Sequence, residues 1–333
     1  MVNNYYNEEK KVLGEALKIS RLTNDINKVE EELEKHVGFE EEKEELISQT
    51  TLYLITKGEF WPKKEVVCYI GSAGIGKTSF VQRLADSLER PLILIPLSGL
   101  KELKEFTILG EEGNKPSLIA WAIKTAGCRN PIILLDELEK VEDEKIQADL
   151  IELFSQYKNK DKKAFNDPYF KEKIDLSHLT FFATVNNEDF LAPLLKNNVL
   201  TRYLPDYTRD EKVKILQIKR EQKEKDYEIE RFVSDESIDY LAKKHIQEGG
   251  IRKLDQALSK MAEEYVLAKQ ENRTPFQGSQ KQWIKENIFP YQESFKIQWH
   301  HWILFSSLGL NFFLLVTWIF RKFVLKRKAG NEN

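Results

Sequence analysis

Cysteine is scarce: the 333-residue chain has only Cys68 and Cys128. That excludes a disulfide framework and a four-cysteine zinc site, and two reduced core thiols in a reducing compartment are the simplest reading. Glycine (15) and proline (10) are also few, which excludes collagen-like and low-complexity chains. Neither charge sign dominates: 51 basic against 54 acidic residues leave a net charge of −3. No global field argues for nucleic acid, and none is expected as a partner. Residues 1–11 are polar, without the apolar segment a secretory leader needs.

Core material is ample at 41% hydrophobic, and charge is high at 32%, against a typical charged share of about 25%. At about 150 residues per domain, the length predicts roughly two folded units. Residues 1–48 read mostly as a helical lead, with Val12, Ile19, Ile26 and Leu33 seven apart and Leu22 and Val29 between them. The stripe suits either a short coiled coil or a helix lying on the next domain. Glu15 and His36 interrupt it, which favours the second. Short apolar runs at 65–70, 91–96, 131–135 and 179–184 then alternate with helical periods at 78–89, 118–126 and 143–157. That alternation implies an α/β domain over 49–206, a parallel sheet with helices on both faces. The periods at 210–226, 234–244 and 250–272 are all helical and imply a small all-α domain over 207–272. Residues 273–301 read as a linker.

Directly after the first strand comes Gly71-Ser72-Ala73-Gly74-Ile75-Gly76-Lys77-Thr78, opening a helix. In that setting G-x-x-x-x-G-K-[ST] is a phosphate cradle. Its glycines let successive backbone N–H groups face an anion, and the helix N-terminus adds its dipole. Lys77 is expected on the β- and γ-phosphates of ATP, and Ser79 completes the candidate contacts. A later strand ends Ile132-Ile133-Leu134-Leu135-Asp136-Glu137, placing two carboxylates at the C-terminal sheet edge where ligands bind. Thr78 and Asp136, the latter through water, are candidates for Mg²⁺. Glu137 is placed to orient or deprotonate an attacking water. A third strand ends Thr184-Val185-Asn186-Asn187. Asn186 reads either as a contact to the γ-phosphate or its water, or as part of an Asn-Asn turn. The lysine run at 158–163 lacks interleaved aromatics and reads as a solvated loop.

One long apolar run exists, at 302–320, 19 residues without a charge. As a helix it spans roughly 28 Å, close to the ~30 Å bilayer core. Trp302 and Trp318 sit at its ends, and Arg321, Lys322, Lys326, Arg327 and Lys328 open a basic tail over 321–333. The expectation is a single-pass membrane protein contacting lipid, its ATP-using domain cytoplasmic because ATP is supplied there.

Together these segments resemble the AAA+ ATPase module of Lon-type proteases over roughly residues 30–270. The likeness rests on H-V-G-F-E-E-E-K-E-E-L from His36, the phosphate loop, and N-P-I-I-L-L-D-E-L-E-K from Asn130. It continues through A-F-N-D-P-Y-F from Ala164, I-D-L-S from Ile174, A-T-V-N from Ala183, L-P-D-Y-T-R-D-E-K from Leu204 and G-G-I-R-K-L from Gly249. The resemblance implies a P-loop NTPase fold with an α-helical lid, and a ring of six subunits pulling polypeptide through a pore. It makes Lys77 and Thr78 the Walker A pair, Asp136 and Glu137 Walker B, Asn186 sensor 1 and Arg252 sensor 2.

Three departures stand out. No room or serine–lysine motif for the family's proteolytic domain follows residue 270, and its N-terminal substrate domain is missing, so no peptide cleavage is expected. Asn197 occupies the arginine-finger position, an element worth about 10³–10⁵ in rate, with Lys196 and Arg202 as possible substitutes. The pore loop carries Ile108 and Leu109 in Phe106-Thr107-Ile108-Leu109-Gly110, where the family has an aromatic. The expected function is a membrane-anchored ATPase that unfolds or remodels proteins, in a homo-oligomeric or mixed ring. The alternatives are a scaffold that hydrolyses ATP poorly, or the ATPase subunit of a separately encoded membrane peptidase.

Overall fold

The computed structural model describes residues 2–23, 25–56, 64–102, 105–159, 164–244 and 249–289. The chain divides into two compact units, Met1–Lys219 with Ala242–Gln256, and Arg220–Leu241 with Ala257–Asn333.

The first unit opens with three helices, α1 (Val2–Ala16), α2 (Ile26–Glu34) and α3 (Glu40–Ile55). The seven-residue stripe is therefore not one seam. Helix α1 ends at Ala16, Asp25 caps α2 by accepting from the Asn27 and Lys28 N–H groups, and Val12 and Ile19 are exposed. Next come β1 (Val67–Ile70), α4 (Lys77–Ser87), β2 (Leu92–Pro96), α5 (Leu118–Ala126), β3 (Ile132–Asp136) and α6 (Glu144–Lys158). A small antiparallel pair follows, β4 (Ala164–Asp167) and β5 (Glu172–Asp175), then β6 (Thr180–Val185), α7 (Pro193–Lys196) and β7 (Leu200–Tyr203). Residues 160–163 of the lysine run lie outside the described residues.

Five strands form one parallel sheet in the order β2-β3-β6-β1-β7. The central strands β1, β3 and β6 are almost wholly apolar because both their faces are covered. Their side chains alternate between two cores. Cys68, Ile70, Ile133, Leu135, Phe181 and Ala183 join the core that holds Leu13 of α1, Ile119 of α5 and Leu150 of α6. Val67, Tyr69, Ile132, Leu134 and Phe182 join the other, with Leu33 of α2, Leu46 of α3 and Phe80 and Leu84 of α4. The period of two along each strand thus sorts the helices into two layers.

After β7 the chain continues through α8 (Arg209–Asp226), α9 (Asp235–Lys244), α10 (Arg252–Gln270) and α11 (Gln280–Asn287). Helix α11 falls inside the segment read as a linker; Ser279 caps it by accepting from the Gln282 N–H, and Ile284 is buried. Within the second unit, Gln280 accepts from the Ser234 N–H at 2.9 Å, and Arg220 donates to Asp235 at 2.7 Å.

The expected membrane localisation is corrected. Among the described residues no helix is long and apolar enough to cross a membrane. The longest, the 18-residue α8 and 19-residue α10, carry lysine, arginine and acid throughout, and such side chains are costly in hydrocarbon. The 302–320 run and the basic tail lie outside the described residues.

Candidate active site

The strand order creates the site. Strand β6 lies between β3 and β1, so the ends of all three meet at one sheet edge although they come from distant parts of the sequence. Gly71 to Gly76 leave β1 as a loop whose Gly74 and Gly76 have φ of +82° and +93°, a region L-residues avoid. A Cβ at Gly71 would meet the Ile75 side chain at 2.5 Å and the Leu204 carbonyl at 2.8 Å. Ile75 is fully buried and anchors the loop, while Ser79 donates back to the Gly76 carbonyl at 2.9 Å.

Lys77, at the start of α4, is 6% exposed. Its Nζ donates to the carbonyls of Gly71 (2.7 Å) and Ser72 (3.1 Å) and to Asn186 Oδ1 (2.9 Å). Burial pushes the lysine below its ordinary value, while Glu139, Asp136 and Glu137 favour its charge and Arg252 opposes it. Asn186 also donates through Nδ2 to Glu137 Oε1 at 3.2 Å. Of the two readings of Asn186, the structure thus places the side chain between the lysine and the acid.

Asp136 lies within 3.3 Å of the Thr78 hydroxyl. Its Oδ1 also accepts from the buried Thr184 hydroxyl at 2.5 Å, and that hydroxyl accepts from the Glu137 N–H at 3.0 Å. Glu137 sits at φ +60°, ψ +55°, a left-handed conformation that is rare for a non-glycine residue and typical of functional turns. That turn carries Glu139 back under β6, where its Oε1 accepts from the Asn186 N–H at 3.0 Å. Thr184 and Glu139 belong to the site, though sequence reading did not single them out. Their motifs were visible; their direction was not.

The loop has two close neighbours. The Ile251 N–H donates to the Gly74 carbonyl at 3.1 Å, and a Cβ at Gly250 would lie 2.3 Å from the Ala73 carbonyl oxygen. Only glycine permits that approach. It sets Arg252, exposed at the start of α10, against the phosphate loop: a Cβ on Gly74 would lie 3.0 Å from that of Arg252. On the other side His36 packs under Gly76, within a ring cluster of Phe39, Phe80 and Tyr207. Cys68 is inert: burial, then Glu139 and Glu188, push its thiol up to about 12.

Other expected residues are not at this edge. Ile108 is 3% exposed and belongs to the core, with Leu109 half-buried beside it. The cause is local. Thr107 pairs with Ser117, Leu118 N–H donates to the Thr107 carbonyl at 2.8 Å, and Gly110 packs on Pro168, folding the loop inward. The expectation that Ile108 is presented to a threaded chain is corrected for this conformation. Asn197 is exposed at the end of α7. Arg202 is held by Glu45 at 3.1 and 3.2 Å, and Lys196 pairs with Glu188, which also accepts from Tyr203 at 2.6 Å.

Comparison with known proteins agrees with this geometry. Residues 67–204 match the family described as ATPase family associated with various cellular activities (AAA). The chain is 27% identical over 281 residues to the Lon protease of Malacoplasma penetrans, covering 78% of this chain and 34% of that protein. It is 36% identical over 221 residues to the Lon protease of Mycoplasma mobile (62% and 26%). Against Lon protease 1 of Hydrogenovibrio crunogenus it is 34% identical over 259 residues (73% and 30%). The chain thus spans about a third of the length of the curated relatives it matches. Residues 67–204 accordingly form an AAA-family ATPase domain, and the chain carrying it is a relative of Lon protease.

Proposed function

We propose that this chain binds ATP with Mg²⁺ at the 71–79 loop and hydrolyses it to drive remodelling or unfolding of polypeptide, working in a ring of like or mixed subunits, six in the simplest case. One observation carries the reading: Lys77, Glu137 and Asn186 come from three separate strand ends and join in one hydrogen-bonded network. The loop glycines leave a cradle that a Cβ at Gly76 would crowd, 2.9 Å from the Tyr207 hydroxyl. Thr78 and Asp136 are hard oxygen donors within 3.3 Å of each other, a set that suits Mg²⁺. When bound there, Mg²⁺ would neutralise charge on the β- and γ-phosphate oxygens.

The residues divide the work. Backbone N–H groups of the loop and Lys77 bind the phosphates, and Lys77 exchanges its carbonyl partners for phosphate oxygens. Asn186 holds Glu137 facing the γ-phosphate. Glu137 orients a water and takes its proton as the water oxygen bonds to phosphorus; the bond to the β–γ bridging oxygen breaks, and ADP and phosphate leave. Arg252, against the loop, would sense whether the γ-phosphate is present. Threading by a gripping loop would require the 105–117 segment to turn Ile108 outward.

A second reading is a scaffold that binds ATP and hydrolyses it poorly. It is supported by Asn197 at the finger position and by Arg202 being committed to Glu45. Turnover of the full chain across protein concentration, beside Lys77→Ala and Glu137→Gln, separates the readings. Lys77→Ala should lose ATP binding; unchanged affinity would remove the site assignment. Glu137→Gln should bind ATP but turn over at least about 10²-fold more slowly. Equal, slow turnover in wild type and Glu137→Gln would favour the scaffold.

A further inference from the structure

We propose that helix α1 is a strap that holds the 105–117 segment folded inward, and that Ile108 turns outward when the first half of α1 lets go. The functional meaning of that turn rests on the polypeptide-remodelling reading above.

Helix α1 presents one face to the domain. Tyr6, Glu9, Lys10, Leu13 and Ala16 fall at helical spacing and are buried or half-buried, while Glu8, Lys11 and Val12 are exposed. The two halves of the face differ. Leu13 and Ala16 are buried in the same core as Ile108. Tyr6, Glu9 and Lys10 instead grip the turn between β4 and β5 by polar contacts. The Tyr6 hydroxyl donates to the Tyr169 and Phe170 carbonyls at 3.2 and 3.4 Å, and its ring stacks on Phe170. Lys10 Nζ donates to the Phe170 carbonyl at 2.8 Å and pairs with Glu172 at 3.2 Å. Glu9 pairs with Lys124 of α5 and accepts from the Tyr169 hydroxyl at 3.4 Å.

That turn holds the 105–117 segment in its place. Asp167, 1% exposed, bridges the two: Oδ1 accepts from the Phe170 N–H and Oδ2 from the Ser117 N–H, both at 2.7 Å. Ser117 pairs with Thr107, the neighbour of Ile108, and Pro168 occupies the space beside Gly110. A path of contacts thus runs from Tyr6 and Lys10 through the Phe170 main chain and Asp167 to both ends of the segment. Half-exposed ion pairs and hydrogen bonds hold weakly, because water offers the same partners. A fully buried leucine does not let go so easily. The first half of α1 therefore opens before the second, with Leu13 as its anchor. Opening it frees the turn, and with it the equilibrium of the 105–117 segment moves toward an outward Ile108.

The test uses the full chain carrying Ile108→Cys; the native Cys68 and Cys128 are both buried and give little background. Adding Tyr6→Phe with Lys10→Met should speed maleimide labelling of the new thiol about tenfold, the factor that one to two net hydrogen bonds supply. These two changes keep the ring and the aliphatic stem. Hydrogen exchange on Tyr6→Phe with Lys10→Met, without the cysteine, gives a second reading. Residues 2–10 and 105–118 should exchange faster together, while 67–70 and 132–136 keep wild-type protection. A helix that only added stability would loosen alone or weaken the whole domain. Wild-type protection at 105–118 in protein whose residues 2–10 have loosened overturns the proposal, and so does unchanged exchange in both segments. If the double substitution shows no melting transition, Lys10→Met alone decides by the same outcomes. Neither readout needs nucleotide or polypeptide. Failure of the remodelling reading is therefore separately visible, as faster labelling with no gain in polypeptide-stimulated ATP turnover.

Discussion

Acidifying the protein from pH 7 to pH 5 should cost it about 2 kcal/mol of stability through one side chain, His36. The ring is 6% exposed, stacked on Phe39 at 5.0 Å and edge-on to Phe80 at 5.0 Å, and its Nδ1 is buried without a partner. Burial first, then the charges of Arg83 and Lys43, push its pKa down to about 4, against hydrogen bonding to Gly76. The unfolded chain binds the proton near its ordinary value of 6.5. Between these values the unfolded state holds more protons, so stability is complete above about 6.5 and falls as pH drops toward about 4. The full difference is about 3 kcal/mol, of which about 2 kcal/mol falls between pH 7 and 5.

The assay is urea unfolding of wild type and His36→Phe at pH 7, 6 and 5. Carboxylates titrate in both proteins, so the difference isolates the histidine. Wild type should lose about 2 kcal/mol more than the variant across this range. Parallel losses would refute the reasoning and mean that His36 takes up its proton inside the fold without penalty. Because His36 lies under Gly76, ATP affinity should weaken along the same curve in wild type only.

Two other outcomes follow from the site's geometry. Gly76→Ala forces a side chain onto φ +93° with Tyr207 Oη 2.9 Å away; strain on the order of 1–3 kcal/mol should appear in thermal unfolding, with ATP binding weakened at least about tenfold. Thr184→Val keeps the shape but strips a hydroxyl that serves both Asp136 and the Glu137 N–H. It should lose about 1–3 kcal/mol of stability and most of its turnover, and a variant as stable and active as wild type would show that the bridge is unimportant.

The regular elements were legible because each carries its signal in adjacent residues. The run Pro131 to Leu135 reads as a strand from its apolar continuity, one residue off β3 (Ile132–Asp136), and 118–126 reads as a helix with the bounds α5 has in the structure. Three features escaped for physical reasons. Strand β7 (Leu200–Tyr203) is short, half-exposed and polar at two positions, and it becomes a strand only by pairing with β1. The β4–β5 pair is held by distant partners: Asp167 accepts from the Ser117 N–H at 2.7 Å, across 50 residues. The break between α1 and α2 is hidden because Ile19 and Leu22 keep the seven-residue spacing although residues 17–23 are not helical, while Leu13, Val29 and Leu33 bury in the cores as a lead lying on the domain should.

Within the site, the phosphate loop and the acids at the end of β3 could be named as candidates from local sequence pattern alone, since each is a contiguous pattern whose chemistry needs no neighbour. The burial of Ile108 could not, because it depends on how 105–117 folds back beside Pro168. Nor could the contacts of Glu139 and Thr184, which depend on the left-handed turn at Glu137 and on β6 lying beside β3.

Local chemistry, written in runs of a few residues, specifies a loop that can cradle phosphate, strands with two apolar faces and helices that begin and end at caps. Strand order is set by pairings between residues tens of positions apart. Only the order β2-β3-β6-β1-β7 puts Asn186 between Lys77 and Glu137. The parts of this candidate site are therefore encoded one by one, and their assembly is decided by which strand lies next to which.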